Sequence, residues 1–176
     1  MEFIMENENQ IVEEQGAMNV EMDSCIKSVA IETLIKAYIK YLFCKGLIDS
    51  KQAAKDKVGE IASPALDRGI ITQANIDCVC NWIDAKGVML DSIKAEHTHK
   101  KFLCKAIEGM ACHNCNDPDL VKFIELKKQK EELCQVLRDR YGKIITEHAK
   151  AFMSEFANLF DQGFTEEISN ISKFIG

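Results

Sequence analysis

The sequence predicts an all-α fold, an antiparallel bundle of five or six helices. Only two prolines and nine glycines interrupt the 176 residues, which favours long helices over the frequent turns of β-sandwiches and barrels. Apolar residues recur at three- and four-residue steps along most of the chain, and this period is typical of one face of an α-helix. Hydrophobic residues make up 47% and charged residues 28%, which is enough apolar material for one globular core.

The N-terminal segment differs in composition from the rest of the chain. Residues 1–20 are rich in Glu, Asn and Gln, and we expect them to form a disordered polar arm. Residues 21–176 then form a single helical domain. A polar arm of this kind is compatible with a non-classical export signal, so a secreted bacterial effector that acts in a host cytosol is one alternative for the function.

The first helix is expected to begin near Asp23 or Ser24, because either side chain can accept hydrogen bonds from the free N–H groups of a first helical turn. Its end is expected at about Lys45, since Gly46 can adopt the left-handed conformation that closes a helix. One face of this helix is apolar. Its members are Ile31, Leu34, Ile35, Tyr38, Ile39 and Leu42.

Two similar corners are expected after this helix. Segments 46–49 and 69–72 each contain a glycine, two aliphatic residues and then a residue that can cap a helix. We predict helix–turn–helix corners there, with Asp49 and Thr72 as the N-caps of the helices that follow. The helix between the corners contains Pro64, which either bends it or opens a short final piece.

The third helix starts at Thr72. Gly87 either divides this helix or lies within it, because the apolar period continues to about residue 111. Residues 111–117 are the clearest loop in the sequence. Pro118 suits the first turn of the next helix, where its missing N–H group costs nothing.

The helix after Pro118 is predicted to dominate the fold. If Gly142 does not break it, it spans residues 118–161, which is about 65 Å at 1.5 Å per residue. That length exceeds the expected diameter of a domain of this size, so part of its apolar stripe should stay uncovered. Gly163 then ends the helix, and a short last helix begins at Thr165.

The uncovered part of this stripe is the predicted interaction surface. Uncovered apolar stripes usually meet another protein or a second copy of the same chain. Our leading hypothesis is therefore a non-enzymatic protein–protein interaction or adaptor module, which binds a protein partner or self-associates. The residues concerned are Phe152, Phe156, Leu159 and Phe160.

A cluster of histidines and cysteines suggests an alternative function, that of a metal sensor or a metal-stabilised domain. Cys112 and Cys115 form a C-x-x-C pair in the predicted loop, and such a pair can chelate one zinc ion. His99 and Cys104 are the candidates for the remaining ligands. The six potential ligands of this segment are His97, His99, Cys104, Cys112, His113 and Cys115.

Two close pairs are possible sources of further ligands. Cys78 with Cys80, and His97 with His99, are each spaced two residues apart. On a helix, side chains at this spacing point in different directions. At most one member of each pair can therefore face the same ion.

The eight cysteines are expected to be reduced. No signal peptide is recognisable at the start of the sequence, and Cys25, Cys44 and Cys134 each lie beside large apolar residues, as buried thiols do. We therefore predict a cytoplasmic, reducing compartment. No apolar run reaches the roughly 20 residues needed to span a bilayer, so no transmembrane segment is expected.

Enzymatic activity and nucleic-acid binding find little support in the sequence. The chain has no G-x-S-x-G nucleophile motif and no glycine-rich phosphate-binding loop. Its Glu–His pairs at 96–97 and 147–148 are adjacent, whereas di-iron bundles need Glu and His three residues apart. The formal net charge of −6 disfavours contact with phosphate backbones. We expect a protein that is not an enzyme.

Overall fold

The computed structural model describes residues 20–86, 99–113, 115, 117–125 and 130–173. In these ranges the chain forms seven α-helices, where five or six were predicted, and one short 3-10 turn. It contains no β-strand there, which confirms the predicted all-α bundle. None of the described helices combines the length and the apolar character that a membrane span requires. The helices are α1 (Val20–Cys44), α2 (Lys51–Asp67), α3 (Gln73–Lys86), α4 (His99–Cys112), α5 (Pro118–Glu125), α6 (Lys130–Glu155) and α7 (Gln162–Lys173).

The central helix of the fold is α1, which contacts α2, α3, α4 and α6. Two hydrophobic clusters lie along it. One packs its C-terminal half against α2, α3 and the end of the chain around Phe164. The other packs its N-terminal half against α4, α5 and α6 around Ile107 and Leu137. Glu32 lies on α1 where these two clusters meet.

Both predicted corners are present. Gly46 and Gly69 each have a φ angle of 70°, which an L-residue with a side chain rarely adopts. The residue after each glycine donates a backbone hydrogen bond of 2.9 Å to the carbonyl five positions earlier. This pattern is the Schellman closure of a helix, so the sequence correctly placed the ends of α1 and α2.

The helix caps agree with the predictions in part. Thr72 caps α3 as expected, because its hydroxyl oxygen accepts a hydrogen bond from the N–H group of Asn75 and its own N–H group donates to Asn75 Oδ1 at 2.8 Å. The cap of α2 is Ser50 and not Asp49. The Ser50 hydroxyl oxygen accepts from the N–H group of Ala53 at 3.1 Å.

The start of α1 also differs from the prediction. The helix already includes Val20, so Asp23 and Ser24 lie inside it and do not cap it. Asp23 instead contacts the Nε2 atom of His148 on α6 at 2.9 Å. At the next helix, α2 continues as one element through Pro64.

Several predictions fall outside the described residues. They concern the polar arm, of which residues 1–19 are not described, and the possible break at Gly87. The candidate ligand His97 also lies outside the described residues, and so do residues 126–129 between α5 and α6.

The predicted long helix corresponds to α5 and α6. Gly142 does not break α6, and a Cβ atom at this position would come within 3.0 Å of the Leu103 side chain. Glycine therefore allows α6 to pack closely on α4. The helix ends at Glu155, before the predicted residue 161, and a 3-10 turn at Ala157–Leu159 reverses the chain.

The predicted interaction surface is part of the core. Phe152, Phe156 and Phe160 are each 7% exposed or less, and Leu159 is half-buried against the same cluster. The prediction assumed a helix longer than the domain, whereas α6 packs on α1 with Phe152 at the interface, and the turn after Glu155 keeps Phe156 and Phe160 in the same cluster. The exposed surface predicted at these four positions was therefore wrong.

Candidate metal centre

A disulfide bond ties the loop after α4 to the first turns of α1. It joins Cys25 and Cys115 across a sequence separation of 90 residues. The prediction of reduced thiols was therefore wrong for this pair. The bond holds the loop, and with it the nearby His113, against α1.

The helices α1 and α4 approach one another closely at Gly109. A Cβ atom there would come within 2.9 Å of Val29 Cγ1, so a side chain at position 109 would push the two helices apart. Cys25, Val29 and Glu32 follow one another at helical spacing and share one face of α1. This face meets α4 and the loop after it at three successive levels.

Glu32 is a buried carboxylate, with its side chain only 4% exposed. Its Oε1 atom accepts a hydrogen bond of 3.0 Å from Asn75 Nδ2, and its Oε2 atom lies 2.7 Å from His113 Nε2. Neither partner is a permanent cation, and a buried carboxylate without one is costly. The environment of Glu32 is therefore suited to an additional positive charge.

Asn75 fixes the orientation of the Glu32 carboxylate. Its Oδ1 atom accepts hydrogen bonds from the N–H group and the hydroxyl group of Thr72, at 2.8 and 3.0 Å. These contacts leave the amide NH2 group of Asn75 to donate to Glu32. Polar groups that orient a ligand in this way are typical of metal sites.

Cys78 and His113 bring a thiol and an imidazole to the same point. Cys78 lies one turn after Asn75 on α3, and its Sγ atom is 3.8 Å from His113 Nε2. His113 directly follows α4, and its backbone N–H group donates to the carbonyl of Gly109 at 2.9 Å. Together with Glu32 these residues supply three ligand atoms that all lie within 4.8 Å of one another.

The arrangement does not match a cysteine nucleophile. In a catalytic triad, the nucleophile and the carboxylate meet opposite nitrogens of the imidazole, whereas Cys78 and Glu32 both lie near Nε2 of His113. Burial and the negative charge of Glu32 raise the pKa of Cys78, and Lys36 offsets this only in part. Nucleophilic cysteines require the opposite shift.

A divalent transition metal fits the donor set. Zn²⁺ binds oxygen and nitrogen at about 2.0 Å and sulfur at about 2.3 Å, so tetrahedral coordination puts nitrogen about 3.3 Å from oxygen and about 3.5 Å from sulfur. The corresponding distances here are 2.7 and 3.8 Å. Shifts of about 0.6 Å and 0.3 Å, which side-chain rotation supplies, would bring these two distances to zinc geometry.

Of the four predicted ligands, Cys104, Cys112 and Cys115, which the structure describes, are not brought together. Cys112 is exposed, and its charge contributes to the raised pKa of Cys78, which places it in the electrostatic surroundings of this centre. Cys115 is bonded to Cys25 and therefore offers no thiolate. Cys104 faces α6. His99 begins α4, but its side chain lies outside the described part of the chain.

Sequence reasoning missed Glu32 altogether. The signal that was present is an acidic residue on the apolar face of α1, in register with Cys25 and Val29. Cys78 was considered only as one of a close pair, and His113 only as a member of the cluster around the C-x-x-C motif. The sequence did not indicate that α3 lies beside the end of α4.

Comparison with protein-family models, with curated proteins and with solved structures found no match. The function is therefore argued from the chemistry of this centre.

Proposed function

We propose that this protein is a zinc-binding helical domain in which Glu32, Cys78 and His113 hold the ion. The observation that carries the proposal is the convergence of three ligand atoms within 4.8 Å, from helices α1 and α3 and from the residue after α4. One of them belongs to the buried carboxylate of Glu32, whose partners among the described residues, Asn75 and His113, are not permanent cations.

The ligand types favour zinc over other common cations. Calcium and magnesium bind through oxygen ligands, so a thiol and an imidazole in the same set disfavour them. Zinc accepts carboxylate, imidazole and thiolate ligands together. Three protein ligands leave a fourth position, which a water molecule or the thiolate of Cys112 would take.

A stabilising or sensing role suits the centre better than catalysis. The crevice beside Glu32 and Asn75 has no enclosed space large enough for a water molecule, whereas pockets for small molecules begin at about 300 Å³. A metal there would connect three elements that are distant in sequence, so its binding energy would add to the stability of the fold. Metal occupancy would thus control how firmly α3 and α4 are held to α1.

The adaptor function predicted from the sequence stays a prediction. The surface on which it depended, predicted around Phe156, is part of the core. The large apolar side chains that are most exposed among the described residues are Val20, Leu47, Val121 and Val136. They belong to α1, to the first corner, to α5 and to α6, and scattered apolar residues of this kind are usual on soluble proteins.

The disulfide bears on the environment in which the domain works. Bonds of this kind form and persist under oxidising conditions and are rare where glutathione keeps thiols reduced. The Cys25–Cys115 bond therefore supports the export alternative over a permanently reducing cytosol. Zinc binding itself requires only that Cys78 remain a thiol.

The proposal is tested by metal titration of the protein after removal of metals with a chelator. We expect one Zn²⁺ per chain by calorimetry, and with Co²⁺ a sulfur-to-metal charge-transfer band in the absorption spectrum. Loss of an outer hydrogen-bond partner of a metal site lowers metal affinity roughly 10- to 100-fold. Cys78→Ser and His113→Asn each remove a ligand and should lower zinc affinity by more than that. Glu32→Gln should do the same.

Cys80→Ser is the matched control. Cys80 is half-buried on α3, two residues after Cys78, and its loss should leave both stoichiometry and affinity unchanged. If the wild-type chain binds no stoichiometric zinc, or if Cys78→Ser binds it as tightly as Cys80→Ser does, the proposed centre does not exist.

A further inference from the structure

A second pair of cysteines lies where α4 packs against α6. Cys104 on α4 and Cys134 on α6 have their Sγ atoms 3.0 Å apart, about one ångström more than the length of a disulfide bond. Both residues lie on helices that pack directly against one another. The two sulfurs therefore face each other across a helix interface.

Arg138 completes this cluster. It lies one turn after Cys134 on α6, and its Nη1 atom donates to Cys104 Sγ at 2.9 Å and to Cys134 Sγ at 3.4 Å. Arg138 is only 8% exposed. Its Nη2 atom also lies 3.7 Å from the exposed carboxylate of Glu131, so Arg138 connects the two thiols with an acid at the surface. It is placed to stabilise negative charge on sulfur.

The two thiols differ in their surroundings. Cys134 is 3% exposed, and burial together with the hydrogen bond to Cys104 raises the pKa of Cys134 to about 12. Cys104 is only half-buried and accepts the shorter hydrogen bond from Arg138. Cys104 is thus the more exposed of the two thiols, and a small molecule from solvent would meet it before Cys134.

We propose that Cys104 and Cys134 are a redox-active dithiol, which small aliphatic disulfides such as oxidised glutathione convert into a second disulfide bond. Cys104 acts as the attacking thiol and Cys134 as the resolving thiol. Arg138 is a positioning residue that holds the charge of the Cys104 sulfur next to Cys134.

The reaction balances as two successive exchanges. The Cys104 sulfur, as thiolate, attacks one sulfur of the small disulfide, which forms a mixed disulfide and releases one small thiolate that takes up a proton. The Cys134 sulfur then attacks Sγ of Cys104, gives up its proton to solvent and releases the second small thiol. The two protein thiols are oxidised and the small disulfide is reduced to two thiols.

Oxidation would change the contacts of Arg138. A disulfide sulfur is a weaker hydrogen-bond acceptor than a thiolate, so the guanidinium group would depend more on its contacts to Gln135 and to the exposed Glu131. A buried cation that is poorly compensated is costly. The cluster would thus link the redox state of two cysteines to the packing of α6 on α4.

The test uses the full chain with the Cys25–Cys115 bond intact. The protein is incubated with excess oxidised glutathione, quenched with acid and an alkylating agent, and mapped by mass spectrometry without reduction. We expect a peptide that links Cys104 to Cys134 and carries no glutathione at either position. Free thiols at both positions, or a glutathione adduct that persists on Cys104 of the wild-type chain, would overturn the proposal.

Variants separate the three roles. Cys134→Ser should accumulate a glutathione adduct on Cys104, because no resolving thiol remains, and Cys104→Ser should accumulate none on the buried Cys134. Arg138→Gln should slow disulfide formation about tenfold or more, the cost of losing a hydrogen bond to a charged group, whereas Arg138→Lys should keep most of the rate. Equal rates for Arg138→Gln and the wild type would remove the role assigned to Arg138.

Cys78→Ser provides the control against the zinc centre. It should leave the rate and the linkage at Cys104 unchanged, because the two clusters share no residue. If Cys78→Ser abolished the linkage, the second disulfide would not be a property of Cys104, Cys134 and Arg138, and the inference would fail even if zinc binding were established.

Discussion

Gly109 lies so close to Val29 that a Cβ atom at position 109 would come within 2.9 Å of Val29 Cγ1. Val29 is fully buried and β-branched, so its side chain has little freedom to move away. We expect Gly109→Ala to lower the free energy of unfolding by up to about 2 kcal/mol, because overpacking costs about 1–3 kcal/mol and the better helix propensity of alanine returns about 1 kcal/mol. Urea unfolding of the metal-free protein measures this change.

Gly59→Ala is the control for that substitution. Gly59 is also inside a helix, but a Cβ atom there would meet nothing within 4 Å. We expect this variant to be more stable than the wild type by about 0.5–1 kcal/mol. If both alanines stabilise the protein alike, α1 and α4 are not tightly packed at position 109.

Removal of the Cys25–Cys115 bond should destabilise the domain strongly. The bond closes a loop with a sequence separation of 90 residues, for which the chain-entropy estimate is about 4 to 5 kcal/mol. We expect the double variant Cys25→Ser/Cys115→Ser to unfold at a much lower urea concentration than the wild type. A reducing agent should shift the urea midpoint of the wild type to that of the double variant and leave the midpoint of the double variant unchanged. An unchanged midpoint of the wild type in reducing agent would contradict this prediction.

Zinc affinity should rise with pH. Burial and Glu32 raise the pKa of Cys78, so the thiol is protonated near neutral pH and must release its proton when the metal binds. Between about pH 6.5 and 8.5, deprotonation of Cys78 should therefore raise the apparent zinc affinity by up to about tenfold per pH unit. Calorimetry in buffers of different ionisation enthalpy counts the released protons, and Cys78→Asp should release about one fewer.

Asn75→Ala should weaken zinc binding without removing a ligand. Asn75 orients the Glu32 carboxylate through its Nδ2 atom, and loss of such a partner typically costs about 10- to 100-fold in metal affinity. Asn81→Ala, at an exposed position on the same helix, is the matched control and should bind zinc like the wild type. An unchanged affinity in Asn75→Ala would show that Glu32 needs no orientation by Asn75.

The fold should lose stability in alkali because of two tyrosines. The hydroxyl group of Tyr41 donates to Asp161, and that of Tyr141 donates to Asp117. The hydrogen bond to Asp161 and burial raise the pKa of Tyr41 to about 12, and burial with the hydrogen bond to Asp117 raises the pKa of Tyr141 to about 12. The folded state therefore favours the neutral phenols.

The direction of the pH effect follows from these shifts. Below pH 10 both tyrosines are neutral in the folded and the unfolded chain, and their contribution is complete. Between about pH 10 and 12 the unfolded chain loses its phenolic protons first, so the free energy of unfolding falls. Tyr41→Phe/Tyr141→Phe should flatten this decline in urea unfolding measured against pH, and an equally steep decline in the variant would contradict it.

The sequence predicted those features of the fold that depend on local chemistry. Gly46, Gly69 and Thr72 were assigned correctly because a left-handed closure and a capping side chain are properties of a few neighbouring residues. Ser50 was missed because Asp49 is an equally good cap by type, and only the backbone path decides between adjacent candidates. The class of fold followed from the spacing of apolar residues in the same way.

The features that depend on contacts between distant residues were not predicted. Nothing in the spacing of the cysteines indicates that Cys25 meets Cys115, and the C-x-x-C motif drew attention to Cys115 for a different reason. Phe156 was assigned to a surface because the end of α6 was placed too far along the chain. Glu32 and Cys78 come together only because α1 and α3 pack side by side.

All three proposed zinc ligands lie between Cys25 and Cys115 in the sequence. The sulfur–sulfur bond therefore closes a covalent ring around them. A protease that nicks the backbone once inside this ring leaves Glu32, Cys78 and His113 joined in a single molecule until a thiol opens the bond.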